Sequence, residues 1–408
     1  MSGDFYGGAL EESFVCKLFY SLTSNKPFEY MTSRCPTLLD HTTMKSKELL
    51  EAQMYSALAN NGAFCFIDAI DPEGTLNKDF YVRMGELFKD LEQYEKYIDN
   101  TSKFCQDVGI YLSFESLINP EDNGMRTSES IYRRGPHLEA AVNVAKTLLS
   151  AHIPFGVITK KNLNRLSDYQ TIILPNLLMI DKEEADAFRK FVESGGSIYA
   201  SGTTSLLAKD GIKQDNFLLY DLFGVQYSGE TKENLTYVAP KEDFKDVFGR
   251  YSFQYPLTIF YPQLKVKKIR EDAKILATVT LPYTDPKDIS HFASANSNPP
   301  GISTDLPSIV LNQYGKGKVI YSAGVLELMK EDDHRSVFIN LIKLISNRPF
   351  FFEADAPKSV EVTLFHQEDK KRYLIDLLNY QAELPNIPVS DIKIRIRLDN
   401  KKPQRLIL

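Results

Sequence analysis

The chain contains no tryptophan and only four cysteines among its 408 residues. Cys16, Cys35, Cys65 and Cys105 include no CxxC pair, so zinc-ribbon and thioredoxin-like readings have no support. Cys65, inside the apolar run AFCFI, is expected to be a buried thiol. Basic residues are not in excess: 48 Lys and Arg face 54 Asp and Glu, a net charge of −6. That excludes the electrostatic footprint of a protein that binds nucleic acid or an anionic membrane. Lys316-Gly-Lys318 and Lys401-Lys402 are too short to change this and read as solvated turns. No apolar run approaches the ~20 residues of a membrane span. The opening residues, MSGDFYGGALEES, are polar and acidic, unlike a signal peptide. A reduced, cytoplasmic setting is the expectation. The six histidines, His41, His137, His152, His291, His334 and His366, are dispersed without metal-ligand spacing. Neither Gly195-Gly196 nor Gly315-Lys-Gly317 has the GxxxxGK[ST] spacing of a phosphate loop. No metal and no cofactor are expected.

The strongest local signal runs from Leu166 to Gly202. Thr171 to Leu174 is a short β-rich apolar run stopped by Pro175. Asp181, Glu183 and Glu184 then fill the first turn of a helix, where carboxylates suit the positive end of its dipole. Ala185, Phe188, Phe191 and Val192 recur at helical spacing, and Gly195-Gly196 ends the helix. Ser197 to Ala200 is the next buried strand. This βαβ unit calls for a parallel sheet with helices on its faces.

Three regions follow from the patterning. Residues 1–102 read as helix (Glu11–Ser21), strand (Lys26–Met31), helix (Ser46–Asn60), strand (Ala63–Ile67) and helix (Phe80–Ile98). That order fits the last units of a (β/α) barrel, whose chemistry sits in loops after the strands, or part of an open α/β sheet. Residues 103–348 read as a doubly wound domain with a β-rich insertion near 226–306, closed by a hairpin over Ser308–Ser322 and a helix over His334–Ile345. Residues 349–408 switch to period two and read as an antiparallel β module, possibly truncated.

Several stretches resemble a known architecture. KPFEYMTSRCP with ALANNGAFCFIDAIDPEG is similar to the seventh and eighth strands of a glycosidase barrel. LSDYQTIILPNLLMIDKEEADAFRKFVESGGSIYASG, with DLFGV and YGKGKVIYSAG, resembles the trimerisation domain of the β-galactosidases of glycoside hydrolase family 42, and also α-L-fucosidase-like bacterial glycosidases. PKSVEVTLFHQEDKKRYLIDLLNY resembles their small β domain. The resemblance implies an α/β protein holding the C-terminal part of a (β/α)8 barrel, then a flavodoxin- or class I glutamine-amidotransferase-like doubly wound domain, then a small antiparallel β domain. It implies hydrolysis of O-glycosidic bonds, a glycoside or oligosaccharide partner and a homotrimer.

Such hydrolysis needs two carboxylates, about 5–5.5 Å apart in retaining enzymes. In the β-galactosidases the nucleophilic Glu follows a Pro-Phe-x-x-Met pattern. Here Pro27-Phe28-Glu29-Tyr30-Met31 is followed by Thr32, and the acid/base would lie on an earlier strand that the chain does not contain. The candidates in the chain are Glu29 and Asp68 for catalysis, and Glu29, Asp40, His41, Asp68 and Asp71 for substrate contact. Each has a plainer reading: Asp68 as a loop cap, Glu29 as an ion-pair partner of Arg34, His41 as an exposed loop residue. Amidotransferase chemistry is not expected, because Ser201-Gly-Thr-Thr follows the strand where that fold places its Cys nucleophile. The chain is expected to be inactive alone; the competing reading is a non-catalytic carbohydrate-binding or assembly protein of the same architecture.

Overall fold

The computed structural model describes residues 2–406, apart from 5, 6, 38, 119–121, 123, 131–133, 286, 287, 289, 291, 292, 295 and 399–404. His291 thus lies outside the described residues. The chain forms two compact units. One comprises residues 1–107, 148–158 and 349–408; the other comprises residues 108–147 and 159–348.

In the first unit, β1 (Ser2–Asp4), α1 (Ala9–Leu22), β2 (Glu29–Ser33), α2 (Lys47–Ala59), β3 (Ala63–Ile67) and α3 (Lys78–Glu95) alternate along the chain. The strands pair in parallel in the order β1-β2-β3. Ser46 caps α2 and Asn77 caps α3, each side chain accepting the N–H three residues on. Side chains alternate across the sheet. Phe28 and Tyr30 pack with Cys16 and Ala57 on the helical side. Phe64 and Phe66 pack against Leu50, Met54, Phe80 and Leu87. Fully burying a large apolar side chain such as Phe28, Leu50 or Phe80 is worth roughly 1.5–3 kcal/mol. The register sets Glu29 beside Ala63, Met31 beside Cys65 and Ser33 beside Ile67 on the opposite face. Apart from Ser33, those residues are only half-buried. Cys65 is therefore not a buried thiol: Cys16, Cys35 and Cys105 are buried, whereas the parity of β3 turns Cys65 away from the helices. The strand expected at Lys26–Met31 begins later, at Glu29, because Phe28 precedes the parallel ladder and its carbonyl accepts the N–H of Ala63.

The period-two region forms an antiparallel hairpin, Val360–Gln367 with Arg372–Asn379, flanked by Lys103–Phe104. A second pair joins Phe352–Asp355 to Lys393–Ile396. Glu361 forms a buried ion pair with Lys17 of α1, whose ammonium also donates to Ser13 and Asn60. The hydrogen bonds satisfy groups whose burial would otherwise be costly.

The second unit is built on a mixed sheet. Its parallel half contains β4 (Val108–Tyr111), β5 (Thr171–Leu174), β6 (Ser197–Ser201) and β9 (Gly317–Ser322), while β7 (Lys274–Pro282) and β8 (Pro300–Tyr314) begin the antiparallel half. Between β5 and β6 runs α4 (Lys182–Glu193), and α5 (Asp332–Ile345) follows β9. Tyr111 packs edge-on against Phe188 of α4, and Tyr199 against Phe338 of α5. Register and alternation put these two tyrosines on opposite faces, so helices cover both. Every residue of β5 and β6 is buried in consequence. The expected βαβ unit is present, with Asp181 and Glu184 closing a reciprocal capping box at the start of α4.

The β-rich stretch expected as an insertion does not stand apart. Thr236–Pro240 and Leu257–Ile259 continue the main sheet beyond β7, each pairing antiparallel. Val225–Glu230 and Leu264–Lys268 form a separate antiparallel ribbon. Consecutive hairpins extend an existing edge at low entropic cost, so a doubly wound half and an antiparallel half share one sheet.

Candidate functional site

The carboxyl ends of β2 and β3 carry a polar cluster. Arg34 directly follows β2, and Asp68 directly follows β3. Adjacent parallel strands in register bring both residues to the same edge. The Arg34 Nε–H donates to Asp68 Oδ1, and both side chains are almost fully buried, at 3% and 9% exposure. Asp68 Oδ1 also accepts the N–H of Ala69 at 2.7 Å. The Arg34 Nη2–H donates to the carbonyl of His41 at 3.0 Å, holding the loop after β2 over the pair. In that loop His41 Nε2 lies 3.3 Å from Asp71 Oδ1, and Asp71 Oδ2 accepts from the Thr75 hydroxyl at 2.8 Å. Thr75 and His41 hold the Asp71 carboxyl below its usual range. Partial desolvation and the facing Asp68 charge push the Tyr81 phenol up.

The structure thus gathers Asp68, His41 and Asp71 at one end of the strands, with Arg34 as the group that links them. Asp40 sits on the same loop but faces outward, capping Thr42 and Thr43 with bonds of 3.0 and 2.9 Å. Those backbone N–H groups lower its pKa. Glu29 is separated from the others. It begins β2, roughly four residues and ~13 Å of strand away from the carboxyl end. Barrel enzymes place their reacting groups at the carboxyl end. The Glu29–Arg34 ion pair weighed from the sequence does not form, because Arg34 binds Asp68 instead.

Thr32 occupies the position after Met31 where the motif would place a carboxylate. It lies within β2, fully buried, and its hydroxyl accepts from Lys45 Nζ at 2.6 Å. Burial lowers the pKa of Lys45 to about 8. From the sequence Arg34 is read only as a partner for Glu29: the expected strand ends at Met31, whereas β2 runs on to Ser33 and so puts Arg34 at its edge.

In the second unit, Ser201 and Gly202 stand where the amidotransferase fold would present its nucleophile. Ser201 Oγ is fully buried, accepts the N–H of Asn176 at 3.0 Å and donates to Glu327. Tyr199 OH donates to the other Glu327 oxygen at 3.1 Å. Burial raises the Glu327 pKa to about 7. His137 is neutral and structural. Its Nε2 accepts the Ser113 N–H at 3.1 Å and its Nδ1–H donates to the Pro175 carbonyl at 2.8 Å. Burial pushes its pKa down to about 4. Among the described residues, no three His, Cys, Asp or Glu side chains gather as a metal site, and no helix is long and apolar enough to cross a membrane.

Comparison of the sequence with protein-family models and with curated proteins gives no match. Solved structures do match. The chain is similar to α-L-fucosidase isoenzyme 2 from Paenibacillus thiaminolyticus, with a TM-score of 0.71 at 18% identity over 91% of this chain and 54% of that one. It is similar to the β-galactosidase from Bacillus circulans sp. alkalophilus, with a TM-score of 0.67 at 16% identity over 97% and 58%. It is also similar to the cold-adapted β-galactosidase from Rahnella sp. R3, with a TM-score of 0.65 at 19% identity over 95% and 56%. The chain spans just over half the length of each of these structures. At such identities the likeness is one of fold: this chain has the mixed α/β architecture, with a large mixed sheet, of glycosidase structures.

Proposed function

We propose that the chain is part of a glycoside hydrolase-like protein that cleaves O-glycosidic bonds of β-galactoside or α-L-fucoside type. One observation carries this reading. In a fold shared with glycosidases, the carboxyl ends of parallel strands bear Arg34, His41, Asp68 and Asp71 as one hydrogen-bonded cluster. In this role Arg34 orients Asp68 and the His41 loop. His41 and Asp71, about half exposed, offer a donor and an acceptor to sugar hydroxyls. Asp68 is engaged by Arg34 and by the Ala69 N–H, so it acts as an orienting group rather than as the proton donor. The catalytic carboxylate pair is then to be found outside this chain, and the chain alone is silent. The second unit would join subunits, as a trimer.

The competing reading, a carbohydrate-binding or assembly protein, is favoured by Thr32, which places a hydroxyl bound to Lys45 where a nucleophile was expected. One experiment separates the two. The chain, and the product extended by whatever coding sequence precedes Met1, are assayed on aryl β-galactosides and aryl α-L-fucosides. The expected result is no turnover by the chain, turnover by the extended product, and a loss of about tenfold or more in Asp68→Asn of that product. Robust turnover by the chain alone, or an extended product that binds sugar without cleaving it, overturns the proposal. Sedimentation of the chain tests the trimer.

A further inference from the structure

A cleft of about 630 Å³ opens in the second unit at the carboxyl ends of β5, β6 and β9. Its lining includes Asn176 after β5, Gly202 and Thr203 after β6, and Ala323 and Val325 after β9. Open α/β sheets bind ligands at this edge because the strand-to-helix loops converge there. The volume is that of a small-molecule site.

The floor is pre-organised. Asn176 adopts a left-handed backbone, φ 44°, and is only 6% exposed. Its Oδ1 accepts the Thr203 N–H at 2.9 Å and the Thr203 hydroxyl at 2.8 Å. The Thr203 N–H can only donate, so the amide orientation is fixed with its oxygen toward Thr203. Among the described residues the Asn176 NH2 makes no hydrogen bond, which leaves a donor at the cleft. Gly202 lets this floor close up: at its φ of +53° a Cβ would stand 2.5 Å from Asn176 Oδ1. Around the floor, Glu139 and Glu230 supply carboxylates that make no side-chain hydrogen bond or ion pair among the described residues. Tyr261 lies near Glu139, whose charge, after partial burial, raises its phenol pKa. Its ring is 42% exposed. Leu264 and Leu328 add aliphatic wall.

Leftover donor, leftover acceptors and a half-exposed ring beside aliphatic wall make a particular demand on a ligand. Two carboxylates against Arg134 disfavour phosphates and other multiply charged anions. A neutral polyol meets the demand, since each hydroxyl both donates and accepts and its C–H faces lie on the aromatic ring. We infer that this cleft binds a neutral mono- or disaccharide, at a site separate from the cluster at Arg34 and Asp68.

The test uses the full chain, titrated calorimetrically and by ligand-detected NMR with D-galactose, lactose and L-fucose, and with inorganic phosphate as control. Binding of at least one sugar in about the millimolar range is expected. Tyr261→Ala and Glu230→Gln, both at exposed positions, should weaken it about tenfold or more, while Lys316→Ala, on an exposed turn away from the cleft, leaves it within about twofold. No sugar binding, or phosphate binding in its place, overturns the inference. So does sugar binding that survives Tyr261→Ala and Glu230→Gln. Loss of that surviving binding in Asp68→Asn would place the sugar contact at the β2–β3 cluster instead.

Discussion

At the carboxyl ends of β2 and β3 a buried guanidinium faces a buried carboxylate, whereas at the carboxyl ends of β5, β6 and β9 the polar groups line an open cleft. Arg34 holds Asp68 and the His41 carbonyl, and Asp71 holds His41 and Thr75. In the second unit Ser201, Thr203 and Glu327 are engaged, whereas among the described residues the amide nitrogen of Asn176 and the carboxylates of Glu139 and Glu230 make no hydrogen bond or ion pair. Both places are favoured for function by topology. They differ in how buried charge is handled. The first unit neutralises a carboxylate with a guanidinium. The second keeps Glu327 near its neutral form, so that Ser201 and Tyr199 suffice as partners.

The comparison breaks most visibly at Arg34. Arg34→Met leaves Asp68 buried without its cation, and the first unit should lose about 3–5 kcal/mol. Arg34→Met combined with Asp68→Leu should recover much of that. Urea titration followed by the first unit's transition measures both; an equal loss in single and double variants would mean that packing, not charge, is at stake.

Next in size is the pH response of the second unit. The folded-state pKa of Glu327, about 7, lies above its unfolded value of 4.5. Between those values the folded state binds the extra proton. The stabilisation is complete below pH 4.5 and is lost as pH rises through about 7. Its full extent is on the order of 3 kcal/mol. His137 in the same unit, held down to about 4 by burial, contributes the opposite slope up to its unfolded value of 6.5, so wild type should be nearly level over much of this window and Glu327→Gln should turn it into a rise of stability with pH. Asp376, raised to about 7 by burial in the first unit, contributes a similar slope of its own, so wild type and variant are compared transition by transition. An unchanged slope in the second unit would remove Glu327 as its source.

The smallest effect belongs to the exposed pair. His41→Ala should cost under about 1 kcal/mol, because His41 and Asp71 are solvated and their attraction is screened. A larger loss would mean that the loop's anchor is His41 itself rather than the bond from Arg34 to its backbone.

Much of the local structure was legible in the chain. Ala63–Ile67 and Thr171–Leu174 are strands with the limits that their apolar runs indicated. The acidic start and Gly-Gly end of Lys182–Glu193 marked that helix, and Ser46 marked the start of Lys47–Ala59. Of the cluster after β2 and β3, Asp40, His41, Asp68 and Asp71 could be chosen because loops after strands collect function. Arg34 could not, since its partner Asp68 is 34 residues away. The same holds for Asn176, whose left-handed backbone and bond to Thr203 depend on two strands lying side by side.

The sequence by itself determined the helices and the apolar strands Ala63–Ile67 and Thr171–Leu174, because capping, glycine conformations and hydrophobic period act over a few residues. Only the tertiary structure decided that Thr236–Pro240, Leu257–Ile259 and Lys274–Pro282 would extend the main sheet antiparallel. It also decided which carboxylates would be neutralised, protonated or left open, because strand pairing and the burial of charge are set by residues distant in the chain, whose contacts no local pattern encodes.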